Sequence, residues 1–201
     1  MSFAIKIFKE KVQFASTHHD KDFIANNTLP EIVFAGKSNV GKSSLINSLC
    51  YGQKIAKTSN TPGQTRQINF FSLATKLLIV DLPGYGYAKV PDIVKLNWQK
   101  SIILYLKHSM NIKLVNLLVD SRRGIKENDL MVINILLNYN LNWQLILTKY
   151  DKREVSKTII DDCQKALAKI FKYDQEVKIL CTSSKNGTGL NDLRKNIIKA
   201  I

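Results

Sequence analysis

A chain of 201 residues with 45% hydrophobic content can fill the core of one α/β domain. Thirty Lys+Arg against 16 Asp+Glu leave a formal charge of +14, which points to a polyanionic partner, nucleic acid first. No apolar run approaches the length of a membrane span, and the opening "MSFAIKIFKEKVQF" carries charges too early and too often for a signal peptide. Cys50, Cys163 and Cys181 are odd in number and lack CxxC spacing, so they read as free thiols of a reducing, cytoplasmic setting.

Residues 1–29 form a polar, mixed extension expected to pack on the domain that follows, residues 30–201. Within it "KVQFAS" suits a short edge strand and "THHDKDFIANNTLP" a connection. His18, His19 and Asp20 lack a further ligand at useful spacing, so they read as loop. From residue 31 an alternation sets in. The strand-like runs are "EIVFAG", "QINFFSL", "KLLIVDL", "IKLVNLLVDS", "WQLILTKYD" and "VKILCTSS". Helical spacing occupies 42–51, roughly 92–108, 126–138, 155–171 and 188–200. Alternating strands and helices predict a three-layer α/β/α domain with a mostly parallel sheet of six to seven strands. The link inside "QINFFSLATKLLIVDL" is too short for a helical crossover, which predicts a hairpin and one antiparallel strand.

In such a sheet, ligands gather at the carboxyl ends of the strands. After "EIVFA" comes "GKSNVGKS", residues Gly36, Lys37, Ser38, Asn39, Val40, Gly41, Lys42 and Ser43. This is the phosphate loop of P-loop NTPases, set between a strand and the helical run "SLINSLC". Its glycines admit phosphate close to the backbone, Lys42 reaches the outer phosphates, and Ser43 offers a hydroxyl to Mg²⁺. After "LLIV" comes Asp81, Leu82, Pro83, Gly84. Asp81 is placed to hold Mg²⁺ through a water, and the Gly84 N–H to sense a γ-phosphate. After "WQLIL" comes Thr148, Lys149, Tyr150, Asp151. Asp151 can accept from guanine's ring N–H and amine, donors that adenine lacks, and the stem of Lys149 can lie over the base. After "VKIL" comes Cys181, then Thr182, Ser183 and Ser184. The Ser184 N–H suits the guanine carbonyl, with Ser183 bracing the loop.

Taken together, "PEIVFAGKSNVGKSSLIN", "TSNTPGQTRQINFF", "DLPGYGYAKV", "DSRRG", "LTKYDK" and "TSSKNGTG" resemble the EngB/YsxC family of bacterial ribosome-biogenesis GTP-binding proteins, over about residues 30–190. The resemblance implies an EngB-type GTP-binding domain that binds GTP and GDP with Mg²⁺. It implies action as a switch in large ribosomal subunit assembly, with rRNA and the subunit or its precursor as partners. It also implies a family link to cell division and septation. It places the first switch at Gly63, Gln64, Thr65, Arg66 and Gln67. It selects Thr65, among Thr58, Thr61 and Thr65, as the second direct Mg²⁺ ligand beside Ser43. The chain is expected to act as a monomer without a membrane anchor.

Two departures from the wider GTPase pattern bear on mechanism. Thr148 stands where many GTPases have asparagine, which predicts a weaker brace in the base loop. Tyr85 follows "DLPG" where Ras-like enzymes have the glutamine that orients the attacking water, and a phenol cannot copy a carboxamide. Slow hydrolysis is therefore expected, unless a partner supplies a group, K⁺ binds near Asn39, or Gln64 or Gln67 swings in. The K⁺ option rests on "SNVGKS", which resembles the loop of potassium-stimulated GTPases.

Arg66, Lys89, Arg122, Arg123, Lys149, Lys152 and Arg153 all follow strands or switches near the nucleotide face, where they could hold rRNA phosphates. For Arg122 and Arg123, bracing of a turn is the competing reading. Tyr85 and Tyr87 could stack on bases or pack over the switch. Three functions stay open: a GTP-driven switch, an RNA- or ribosome-binding module whose nucleotide is structural, and a factor acting directly at the division septum.

Overall fold

The computed structural model describes residues 3–17, 27–56, 67–86, 92–152, 158–171 and 177–201. Their strands are β1 (Val12–Thr17), β2 (Glu31–Gly36), β3 (Asn69–Leu73), β4 (Leu77–Asp81), β5 (Ile112–Asp120), β6 (Trp143–Thr148) and β7 (Ile179–Cys181). The helices are α1 (Lys42–Leu49), α2 (Asp92–His108), α3 (Glu127–Asn138), α4 (Ile159–Ala168) and α5 (Leu190–Ala200). They build one seven-stranded sheet in the order β1-β3-β4-β2-β5-β6-β7. Only β3 runs against its neighbours, antiparallel to both β1 and β4. The other pairings, β2 with β4 and β5, β5 with β6 and β6 with β7, are parallel.

The central strands are buried on both faces, which is why they read as unbroken apolar runs. Alternation within the run still sorts the side chains. On β2, Ile32 and Phe34 face a core shared with Leu45 and Ile46 of α1 and Leu193 and Ile197 of α5. Val33 and Ala35 face the opposite core with Tyr105 of α2, Ile133 of α3 and Cys163 of α4. The three cysteines are free.

The extension contributes to this fold. A 3₁₀ helix at Phe3–Lys9, not predicted from the sequence, buries Ile7 and Phe8 in the core that α1 and α5 share. Its seven residues interleave apolar and lysine positions, too short a pattern to announce a helix. Gln53 then ties the chain down by accepting from the Val12 N–H at 3.0 Å and donating to the Glu10 carbonyl at 2.8 Å. The predicted helix at 155–171 is shorter, Ile159–Ala168, with 153–157 outside the described residues.

At the amino ends of the strands, the buried Glu31 carboxylate accepts from Tyr105 and Ser109, both at 2.7 Å, and from Asn27 at 2.8 Å. That end of the sheet is closed by satisfied polar groups. The carboxyl ends, by contrast, open into loops that carry the candidate site.

Candidate functional site

The phosphate loop leaves β2 at Gly36, where a Cβ would meet Val40 Cγ1 at 2.9 Å and the Leu118 carbonyl oxygen at 3.0 Å. Only glycine lets the strand exit so close to β5. The loop curls through left-handed backbone at Asn39 (φ 64°) and Gly41 (φ 103°) and is pinned to the core by the buried Val40. Gly41 caps α1 without a side-chain hydrogen bond, and the first turn holds no acidic residue. The helix therefore presents its first N–H groups and its positive dipole end to an anion. Lys42 is 8% exposed and pairs with the carboxylate of Asp81, itself 2% exposed. Ser43 follows, half-buried on α1. These groups fit a nucleotide polyphosphate with Mg²⁺, and Ser43 and Asp81 are the oxygen donors that would hold the ion.

The segment after β4 lies across the loop. The Leu82 N–H donates to Phe34 at 3.0 Å, the Tyr85 N–H to Gly36 at 3.3 Å, and the Ser38 N–H to Tyr85 at 2.9 Å. Gly84 sits so close that a Cβ would stand 2.9 Å from Ser38 Cα and 3.0 Å from its nitrogen. Pro83 is buried beside it. The Tyr85 hydroxyl donates to the carboxylate of Asp129, which also accepts the Lys126 N–H at 2.9 Å at the start of α3. Burial first, then the Asp129 charge and hydrogen bond, push the phenol far above its ordinary range. Of the two readings of Tyr85, stacking on bases or packing, the structure shows packing: the ring lies against the core shared by α2, α3 and α4 and its hydroxyl is committed to Asp129. Tyr87 lies outside the described residues.

At the other end of the site, Thr148 closes β6 and is 4% exposed. Its hydroxyl lies 2.7 Å from the Val40 carbonyl and 3.3 Å from that of Val119. The brace expected to be weak for want of asparagine is present, made by a hydroxyl to the phosphate loop itself. Lys149 (φ 58°) reaches back along the same loop, with Nζ 2.8 Å from the Asn39 carbonyl and 3.0 Å from Asp120. Its stem passes the loop, Cε lying 3.7 Å from where a Gly41 Cβ would stand. The Tyr150 N–H donates to Thr182 at 3.1 Å, joining the two base segments. Ser183 braces as expected: its hydroxyl donates to Asp151 at 2.7 Å and accepts the N–H groups of Lys185 and Asn186 at 3.1 and 3.3 Å. The Ser183 hydrogen bond holds the Asp151 carboxyl below its ordinary range, so it is an ionised acceptor at neutral pH. Ser184 is half-buried on the same turn.

The fold therefore gathers Gly36–Ser43, Asp81–Gly84, Thr148–Asp151 and Thr182–Ser184 at one edge of the sheet. Gly63, Gln64, Thr65 and Arg66 lie outside the described residues, as do Lys89, Arg153 and the His18–Asp20 cluster. Gln67 is exposed just ahead of β3. Arg122 braces a turn, its guanidinium donating to Asp120 at 3.0 and 2.7 Å, whereas Arg123 is exposed. Sequence reasoning missed Asp120 and Asp129. Asp120 ends an apolar strand as Asp81 does, and the same rule would have found it. Asp129 stands three residues after Lys126, a helix-start position, but nothing local points to Tyr85.

A strand, phosphate loop and helix, an acidic residue ending β4, and an ionised aspartate in a braced loop define a P-loop guanine-nucleotide-binding domain. A family model described as "50S ribosome-binding GTPase" matches residues 31–149. Probable GTP-binding proteins EngB of Rickettsia felis and Rickettsia africae are each 48% identical over 196 residues, spanning 98% of this chain and 91% of theirs. A crystal structure of a probable GTP-binding protein engB superposes with a TM-score of 0.67 at 26% identity, covering 85% of this chain and 97% of that one. A point variant of Aquifex aeolicus Era bound to GDP·AlF₄⁻ shares the fold, with a TM-score of 0.67 at 24% identity over 86% of this chain and 57% of its own. The chain belongs to the EngB family of GTP-binding proteins.

Proposed function

We propose that this chain is a GTP-operated switch that binds the large ribosomal subunit or its precursor during assembly and leaves after hydrolysing GTP slowly. The observation that carries the reading is the contact of Gly84 and Tyr85 with Ser38. The segment that would meet a γ-phosphate rests on the loop that would hold it, so a third phosphate must displace or re-form that contact. The large subunit as partner draws support from the matching family's description and from the +14 charge.

Lys42 would supply positive charge to the outer phosphates, and Ser43, with Asp81 through a water, would hold Mg²⁺ beside them. Mg²⁺ would neutralise charge developing on the phosphate oxygens. Thr65 would be the second direct ligand of the ion in the GTP state, as the family pattern implies. Slow hydrolysis follows from Tyr85, whose hydroxyl is held by Asp129 and stays protonated, so it orients no water. K⁺ beside the exposed Asn39 raises the rate: hydrolysis runs faster in K⁺ than in Na⁺, and Asn39→Ala removes the difference. Equal rates of the unaltered protein in both salts would eliminate the cation.

No helix among the described residues is long and apolar enough to cross a membrane. The protein works as a cytoplasmic monomer, and the family's link to division and septation reflects ribosome supply. The test is co-sedimentation with purified ribosomal subunits in a non-hydrolysable GTP analogue, GDP or no nucleotide, across salt concentrations. Binding to the large subunit only with the analogue supports the switch. Equal binding in all three states, fading steeply with salt, favours a binding module whose nucleotide is structural.

A further inference from the structure

A cavity of about 300 Å³ lies on the outer flank of the phosphate loop, walled by Lys37, Gly86, the turn after β5 and the start of α3. Ser38, Asn39 and Val40 of the phosphate loop and Lys149 of the base loop form its inner wall, while none of Gly41–Ser43, Asp81, Asp151 or Thr182–Ser184 lines it, so it lies beside the places that take the outer phosphates and the base. Of the four cationic residues that border it, Lys149 is committed to Asp120 and the Asn39 carbonyl, and the other three are Lys37, Arg123 and Lys126. Among the described residues none of the three has a side-chain hydrogen bond or ion pair.

The two acids in the wall do not answer them. Asp120 is taken by the guanidinium of Arg122 and the ammonium of Lys149. Asp129 is taken by the Tyr85 hydroxyl and the Lys126 N–H. Like charges around one partly enclosed space repel, and an anion placed between them relieves that repulsion. Water occupies about 30 Å³ per molecule in the liquid, so the cavity has room for a phosphate group, its ester neighbours and some solvent. Arg123 brings the planar fork that matches phosphate oxygens, and the two lysines bring mobile point charges.

The geometry points to a second anion site, in which Lys37, Arg123 and Lys126 receive a phosphate group of an RNA backbone. The choice of RNA as the source rests on the ribosomal reading; the site itself rests on the cavity and its unanswered charges. Its position ties it to the switch. The stem of Lys37 lies 3.2 Å from where a Gly86 Cβ would stand, one residue beyond the Tyr85 that bridges to Lys37. A phosphate drawn to Lys37 therefore bears on the segment that senses the nucleotide.

The test uses the full chain saturated with GDP, so that added phosphate meets a filled nucleotide site. The double variant Arg123→Ala, Lys126→Ala is compared with Lys165→Ala, Lys199→Ala, which removes the same charge from exposed positions on α4 and α5. Binding of a labelled single-stranded RNA is followed by anisotropy across salt, and inorganic phosphate is titrated while the Gly86 and Gly124 amides are observed by NMR. The cavity variant should bind RNA about tenfold more weakly than the control, with a salt slope smaller by roughly 0.7 for one lost phosphate contact. GDP affinity should stay within about twofold. Phosphate should shift the Gly86 and Gly124 amides of the unaltered protein and not those of the cavity variant. Equal loss of RNA affinity in both variants would overturn the site and leave the ribosomal switch standing. A protein that binds no RNA, with its glycine amides still shifted by phosphate, would overturn RNA as the source and the rRNA contact with it.

Discussion

Replacing Tyr85 by phenylalanine isolates what its hydroxyl does. The ring can stay where it packs, and only the hydrogen bond to Asp129 is lost. A hydrogen bond to a charged acceptor contributes about 1.5–3 kcal/mol. Asp129 is 4% exposed, so water does not replace the lost donor cheaply, but the Lys126 N–H at 2.9 Å still satisfies the carboxylate in part. The expected loss is therefore about 2 kcal/mol, or about 4–8 °C in midpoint for a domain of this size. Urea unfolding in saturating GDP measures it. Single-turnover GTP hydrolysis is measured beside it, and its rate should change less than about threefold, since a committed, protonated phenol takes no part in chemistry. A rate drop beyond about tenfold with stability unchanged would refute the reasoning and place the hydroxyl in the reaction.

Three further outcomes follow from other parts of the site. Thr148→Val keeps the shape but removes the hydroxyl that meets the Val40 carbonyl; it should cost about 1–3 kcal/mol and weaken GDP binding several-fold, read by denaturation and by fluorescent GDP titration. Gly189→Ala would put a Cβ 2.0 Å from the Cys181 carbonyl oxygen at φ 70°, so a loss of about 3 kcal/mol or more is expected, and a stable variant with intact GDP affinity would contradict the packing described. Burial raises the Asp120 carboxyl, but hydrogen bonds from Arg122 and Lys149 outweigh it and hold it well below its ordinary range. Because the folded value is depressed, this group's stabilisation is present above the ordinary carboxylate pKa of about 4 and is lost as pH falls towards the folded value. Urea midpoints should drop below about pH 4, and Asp120→Asn should flatten part of that drop.

Much of the site was legible because its motifs are local. A phosphate loop needs glycine where the strand exits and where the helix begins, and Gly36 and Gly41 stand at those points within one short stretch. A strand followed by a polar or acidic residue marks the carboxyl edge of a parallel sheet, which located Asp81, Thr148 and Thr182 without knowledge of the strand order. Helix α2, predicted at 92–108, occupies Asp92–His108 because its pattern is long enough to speak for itself.

What the linear chain left undecided were pairings between distant residues. Thr148 meets Val40 across 108 positions, and Tyr85 meets Asp129 across 44. Whether Tyr85 stacks on bases or packs over the switch depended on which loops the sheet sets side by side. Composition and spacing determine what each segment can do, because backbone geometry and side-chain chemistry act over a few residues. The strand order β1-β3-β4-β2-β5-β6-β7 decides which segments meet, because it is the packing of two cores against one sheet that brings the strand ends together.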